Sequence, residues 1–296
     1  MDLRKLEIFR SVAEHRSFAR AAQSLYISQS AVSIAVRKLE EELGVRLFSR
    51  DRRSVRLTAE GEVLLRHAAR LLAQAQQARL ELQEMVELVR GEVRIGIPAM
   101  LAAYHFPPLL AGFRELHPGL RLVIIDEGTR LIRQHLEEGR VDMGIVSLDE
   151  EMAGLEAHPL LEEEMLLCIP AGHPLARRKW VGADDLAGER LILYREGYFL
   201  REIVDRMFAG CREVPEIGFE TNLVQLMKEL VLSGQGVSVC LRCVLREERR
   251  LAGVPFRPAF RLPFGLAWRK GDYLSRANRA FADFLLQGAD RLPDEG

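Results

Sequence analysis

Cysteine is scarce in this chain: four in 296 residues, at Cys168, Cys211, Cys240 and Cys243. So few thiols, so scattered, exclude a disulfide-built scaffold and fit a reducing compartment. Long apolar runs are missing too. No stretch approaches the ~20 residues of a membrane-spanning helix. The first residues, MDLRKLEIFRSVAEH, interleave charge with apolar positions and lack a signal-peptide core. No membrane partner is expected, and the chain is read as cytoplasmic. Neither a nucleophile elbow nor a phosphate loop is found, so no catalytic residue and no enzyme activity are expected. No cysteine-histidine set completes a zinc site, and no metal or cofactor is expected.

Net charge is also low, −1 in total, but it is unevenly spread. Residues 1–58 hold 12 Lys and Arg against 7 Asp and Glu, a net of +5, while the remainder carries −6. A basic block on a mildly acidic body suits one end meeting an anionic polymer.

What is present falls into three pieces. In residues 1–58, Leu3, Leu6, Phe9, Val12 and Ala13 mark one face of a first helix. Ser17 can cap a second, Ala19 to Leu25, and Ser28 a third, from Gln29 to about Leu43, stopped by Gly44. Two short helices joined by a tight turn make a helix-turn-helix. Val32, Val36, Leu39 and Leu43 form the buried stripe of the third helix. Gln29, Ser30, Ser33, Arg37 and Lys38 lie on its other face. Next comes VRLFSRDRRSVRLT, which reads as a two-stranded wing rich in arginine: Arg50, Arg52, Arg53 and Arg56.

A helix fits the DNA major groove, where Gln pairs with adenine and Arg reaches guanine or phosphate. Ser17, Ser28 and the wing arginines suit phosphates. Ile34, apolar on this polar face, fits either a thymine methyl or packing within the protein or a dimer. A small bundle that binds nothing is the alternative, and the basic wing argues against it.

Residues 59–90 form the second piece. Neither Pro nor Gly occurs from 62 to 90. Leu64, Ala68, Leu71, Ala75, Ala78, Leu82, Met85 and Val89 recur in steps of three and four, a coiled-coil seam. The seam expects a partner: the same helix of a second copy, or the chain's own next domain.

The third piece, 91–296, alternates strands and helices, which implies a mostly parallel sheet with helices on both faces. EVRIGI, LRLVIID, VDMGIV, EMLLCIP, GERLILY, EIGFETN, GVSVCL and FGLAW read as strands. The pattern implies two α/β lobes with a ligand cleft between them, lobe I at about 91–160 and 266–296, lobe II at about 161–265. Ligands sit at the carboxyl ends of such strands. That rule points to Pro98, Ala99, Met100 and Leu101, to Thr129, to Val146 and Ser147, to Gly197, Tyr198 and Phe199, and to Thr221 and Asn222. Thr129, at a helix start, either caps its helix or binds an anion. Tyr198 and Phe199 wall a ligand or pack in the core. Cys240 and Cys243 form a CxxC that is either a redox pair or ordinary buried thiols.

FRSVAEHRSFARAAQSLYISQSAVS, LEEELGVRLFSR and LTAEG, with RIGIP, EGT, VDMGIV, PAGHPLA and VLSGQGVSV later, resemble the LysR-type transcriptional regulators over essentially the whole chain. The resemblance implies a winged helix-turn-helix, a long linker helix and a two-lobed effector domain folded like periplasmic binding proteins. It implies a homodimer or homotetramer on promoter DNA that responds to a small-molecule effector and touches RNA polymerase. By position it implies DNA contacts at Gln29, Ser30, Ser33 and Arg37, with the wing near Arg50 to Arg53. Two positions depart from the family pattern. Ile34 stands where a basic or polar residue is usual, and Ala99-Met100-Leu101 stands where a Ser or Thr often holds an anionic effector. A thiol-based redox regulator and a plain small-molecule binding protein are the rival readings.

Overall fold

The computed structural model describes residues 2–49, 55–84, 91–149, 151–196, 198–209, 211, 213–246 and 248–288. Arg50, Arg52, Arg53, Met85, Val89 and Gly197 lie outside the described residues, and so does the Leu82 side chain. The chain divides into two compact units, one built from the first four helices and one from the remaining strands and helices.

The first unit contains α1 (Leu3–His15), α2 (Phe18–Ser24), α3 (Gln29–Leu43) and α4 (Ala59–Glu84). Side chains cap the first three. Asp2 accepts from Lys5 N at 2.8 Å, Ser17 from Arg20 N at 3.3 Å and Ser28 from Ala31 N at 3.2 Å. Each satisfies an amide with no partner inside its helix. Gly44 ends α3 in the left-handed conformation, at φ 69°.

Leu6, Phe9, Val12, Ala22, Val32, Val36 and Leu39 form one core, sealed by Leu47 and Phe48. Phe48 packs its ring 5.4 Å from Phe9 and 5.6 Å from Phe18. The wing closes where Phe48 pairs with Leu57 and Ser49 N donates to Arg56 O at 2.8 Å. Glu40, on α3, fixes its start: the carboxylate accepts from Leu47 N at 2.8 Å and from Arg46 Nη1 at 2.9 Å.

Two expectations change here. Leu43 is 38% exposed, so the buried stripe of α3 ends at Leu39. The opening turns of α4 join the first unit's own core, with Ala68 fully buried and Leu64 partly so. Those two positions are therefore spent inside the chain, and any seam on α4 starts beyond them. Leu71 and Ala78 are exposed and Ala75 is half-buried.

The second unit is one eight-stranded sheet flanked by helices. Its strands are β1 (Glu92–Gly96), β2 (Arg121–Ile125), β3 (Met143–Ser147), β4 (Leu155–Pro170), β5 (Arg190–Leu193), β6 (Glu216–Glu220), β7 (Val237–Leu241) and β8 (Leu251–Arg269), in the order β2-β1-β3-β8-β4-β7-β5-β6. The sheet is mixed. β1 pairs in parallel with β2 and β3, and β5 with β6 and β7, while β4 and β8 run antiparallel to all their neighbours. EMLLCIP and FGLAW are thus the ends of two long strands that pair from Leu155↔Arg269 to Pro170↔Leu251 and pass through both lobes.

The helices are α5 (Ala99–Tyr104), α6 (Phe106–Leu116), α7 (Thr129–Glu137), α8 (Phe199–Phe208), α9 (Val224–Leu232) and α10 (Arg276–Gly288). The helical segment after β1 breaks at His105 into α5 and α6, because the prolines after Phe106 start a new first turn.

α7 sits close on β1 and β3 because both strands offer a glycine beneath Ile132. A Cβ on Gly96 would lie 2.7 Å from Ile132 Cγ2, and one on Gly144 would lie 2.4 Å from it. This notch sets the position of Thr129, one turn earlier. Gly144→Ala should therefore cost about 1–3 kcal/mol of stability by overpacking, measured by chemical denaturation. The loss should be smaller in an Ile132→Ala background, which lacks the Cγ2 that the new methyl meets, as coupled neighbours do. Additive losses would mean the two residues do not meet.

Candidate functional site

This framework presents two surfaces, one in each unit. On α3, Gln29, Ser30, Ser33, Ile34, Arg37 and Lys38 are all exposed, while Val32, Val36 and Leu39 are buried on the opposite side. Ile34 is 44% exposed, so it does not pack within its own domain. Arg37 Nε lies 3.7 Å from Glu41 in an exposed i,i+4 pair. Such pairs are worth little and yield readily to a stronger anion. Ser17 and Ser28 are helix caps, and Ser28 Oγ also lies 3.0 Å from Ser30 Oγ. Capping uses an oxygen lone pair, and a hydroxyl still has a proton to donate.

In the second unit the strand ends bring together fewer residues than expected. Thr129 opens α7 and is buried, and its Oγ1 has no hydrogen-bond partner among the described residues. It is therefore not a side-chain cap. Beside it, the Tyr198 ring lies 3.4 Å from where a Cβ on Gly128 would stand. Tyr198 precedes α8 and stacks on Tyr194, with centroids 5.5 Å apart and planes at 20°. Burial, then the nearby Glu127 and Asp126 carboxylates, push its phenol pKa up. Arg130 of α7 reaches Glu202 of α8 at 2.9 Å, joining lobe I to lobe II at the same place.

Several expected lining residues lie elsewhere. Met100 and Leu101 are buried in the main core, where Tyr194 OH contacts Met100 Sδ at 3.9 Å and donates to Val239 O at 3.0 Å. Pro98 is buried at the start of α5, and Ala99 is half-buried. Val146 packs with Ile132 and Leu136 beneath α7. A strand alternates its side chains between faces, so the strand-end rule finds the right segment and not the right side chain. Thr221 Oγ1 accepts from Leu223 N at 3.1 Å, and Phe199 is half-buried against the core. The Arg130–Glu202 pair has no signal in the sequence: its partners are 72 residues apart, and no local pattern joins them.

The cysteines are also placed. Cys168 and Cys240 lie on the paired strands β4 and β7, both fully buried. The hydrogen bond that the Cys240 thiol donates to Cys168, together with burial, raises its pKa strongly. Cys243 stands in the turn after β7, raised by burial and by Glu163. Cys211 is half-buried, and burial raises it too. Oxidation and disulfide exchange go through the thiolate, which all of these shifts disfavour.

Residues 3–62 match a family described as bacterial regulatory helix-turn-helix protein, lysR family, and residues 86–290 match the LysR substrate binding domain. The chain is 31% identical over 292 residues to the DNA-binding transcriptional dual regulator OxyR of Escherichia coli, covering 96% of this chain and 95% of that one. It is 32% identical over 301 residues to the RuBisCO operon transcriptional regulator of Allochromatium vinosum, covering 99% and 98%. A solved full-length OxyR variant from Pseudomonas aeruginosa superimposes with a TM-score of 0.73 at 28% identity, over 100% of this chain and 99% of that one.

Because the Thr129 hydroxyl is buried without a partner, Thr129→Val should not destabilise the protein. A neutral change, or a gain of up to about 1 kcal/mol, is expected in thermal unfolding. A clear loss would mean that the hydroxyl is bonded in the free protein.

Proposed function

The chain belongs to the LysR-type family of transcriptional regulators, and from that premise we propose how its two surfaces work together. α3 enters the major groove of promoter DNA, and the arginine-rich wing holds the flanking phosphates. A small-molecule effector enters between the lobes, beside Thr129 and Tyr198. One observation carries the effector site: a buried hydroxyl at a helix start, left without a partner, next to an aromatic ring from the other lobe. An unpaired buried polar atom is costly, and an effector oxygen or nitrogen would satisfy it. Arg130 and Glu202 then respond directly to lobe spacing.

Ala99-Met100-Leu101 supplies no side-chain hydroxyl, and Met100 and Leu101 pack in the core, so the Thr129 side carries the polar recognition and Tyr198 the apolar part. The effector is taken to be a small molecule with one acceptor or donor group on a partly apolar body. No catalytic step is assigned to the cleft. One relative is named hydrogen peroxide-inducible genes activator. The buried, protonated thiols of this chain support cleft binding ahead of thiol oxidation through Cys240 and Cys243.

The regulator works as a homo-oligomer in this reading. Leu71 and Ala78 leave an open face on α4 beyond Ala68. The outer strands of the sheet also show apolar residues to solvent, Ile124 on β2 and Ile217 with Phe219 on β6. Exposed apolar edges are liabilities in a monomer and are natural contact surfaces for a second copy. Among the described residues no helix is long and apolar enough to cross a membrane. The working place is taken to be the cytoplasm, with RNA polymerase as the downstream partner.

Arg37→Ala should weaken specific promoter binding by about 1–3 kcal/mol, measured by fluorescence anisotropy at fixed salt, if Arg37 reads a base. An equal loss on unrelated DNA would demote it to a phosphate contact. Ala78→Glu should lower the sedimentation mass, and an unchanged mass would move the oligomer contact off α4.

A further inference from the structure

Three side chains that this function leaves unused meet inside the second unit. His105 stands at the break between α5 and α6, Glu163 on β4 and Cys243 in the turn after β7. All three are buried, and their ligand atoms lie within 4.8 Å of one another. His105 Nε2 hydrogen-bonds Glu163 Oε1, and Glu163 Oε2 accepts from Cys243 N at 3.2 Å. Glu163 also helps to hold the Cys243 thiol in its protonated form. Among the described residues no lysine or arginine pairs with Glu163. The nearby Arg242 pairs with Glu164, and Lys228 lies 3.5 Å from Glu248. His105 Nδ1 is buried without any partner among the described residues.

We propose that His105, Glu163 and Cys243 bind a divalent transition-metal ion of the zinc class. The donor set decides the class. Imidazole nitrogen, thiolate sulfur and carboxylate oxygen are the usual zinc ligands, whereas calcium and magnesium take oxygen alone. Charge decides the valence. A carboxylate and a thiolate bring two negative charges, and a divalent ion makes the buried site neutral. Binding releases the Cys243 proton to solvent, with His105 binding as neutral imidazole. The spacing is also close to what is needed, since bonds of ~2.0–2.3 Å place tetrahedral ligands roughly 3.3–3.8 Å apart. Three protein ligands leave a fourth position for water or a further donor.

The full-length chain, stripped with chelator, is titrated with Co²⁺ and followed by absorption. A thiolate-to-cobalt charge-transfer band should grow to saturation near one equivalent per chain and disappear on adding Zn²⁺. Cys243→Ser should abolish the band and His105→Gln should weaken binding at least tenfold, while Cys211→Ser and Cys240→Ser retain it. No band in the unaltered chain, where folding is not in question, overturns the site. A band that survives Cys243→Ser, or is lost with Cys240→Ser, overturns the ligand assignment.

Discussion

The pairing of β4 with β8 is the constraint on which the second unit depends. These two strands belong to both lobes, and every other strand is joined to them directly or through one or two neighbours. Their register slips between Met165 and Leu166, where the partner on β8 jumps from Phe260 to Pro255. Such an irregularity bends and twists a ribbon. The lobes are therefore leaves on a shared spine, and their relative angle is a property of that spine. Thr129 comes from one leaf, Tyr198 from the other, and Glu163 lies on the spine itself.

Periodicity makes much of the first unit legible. The apolar spacing locates α1 and α3, and serine before each run announces the caps of α2 and α3. In the second unit the short strands are legible: EVRIGI, LRLVIID and GVSVCL contain β1, β2 and β7. The long strands are not. Pro159 and the pair Glu162-Glu163 lie ahead of EMLLCIP within β4, and Pro255, Pro258 and Pro263 interrupt β8. Proline normally demotes a segment from strand status, and here the partner strand overrides that local preference.

The candidate site is legible in proportion to how local its logic is. A threonine at a helix start is a one-residue signal, and the sequence shows it. The sorting of Met100, Leu101 and Val146 into the core depends on packing from elements far away in sequence. His105 and Cys243 lie 58 and 80 residues from Glu163. Only the sheet order, which no spacing rule supplies, brings them together. The same holds for Ala68, whose heptad position looks like a seam and whose neighbours are the buried residues of the first unit.

Glu40 has a consequence for how sequence is read on DNA. Its carboxylate ties the first residues of the wing to the helix that carries Gln29, Ser33 and Arg37. Helix and wing root are thereby one rigid body, with a single carboxylate as the rivet. With α3 in the major groove, as proposed, a tilt of the helix swings the wing root through the same angle. Groove reading and backbone grip are thus geometrically coupled, so a promoter whose groove width does not match the fixed angle between them is disfavoured even when its bases are right.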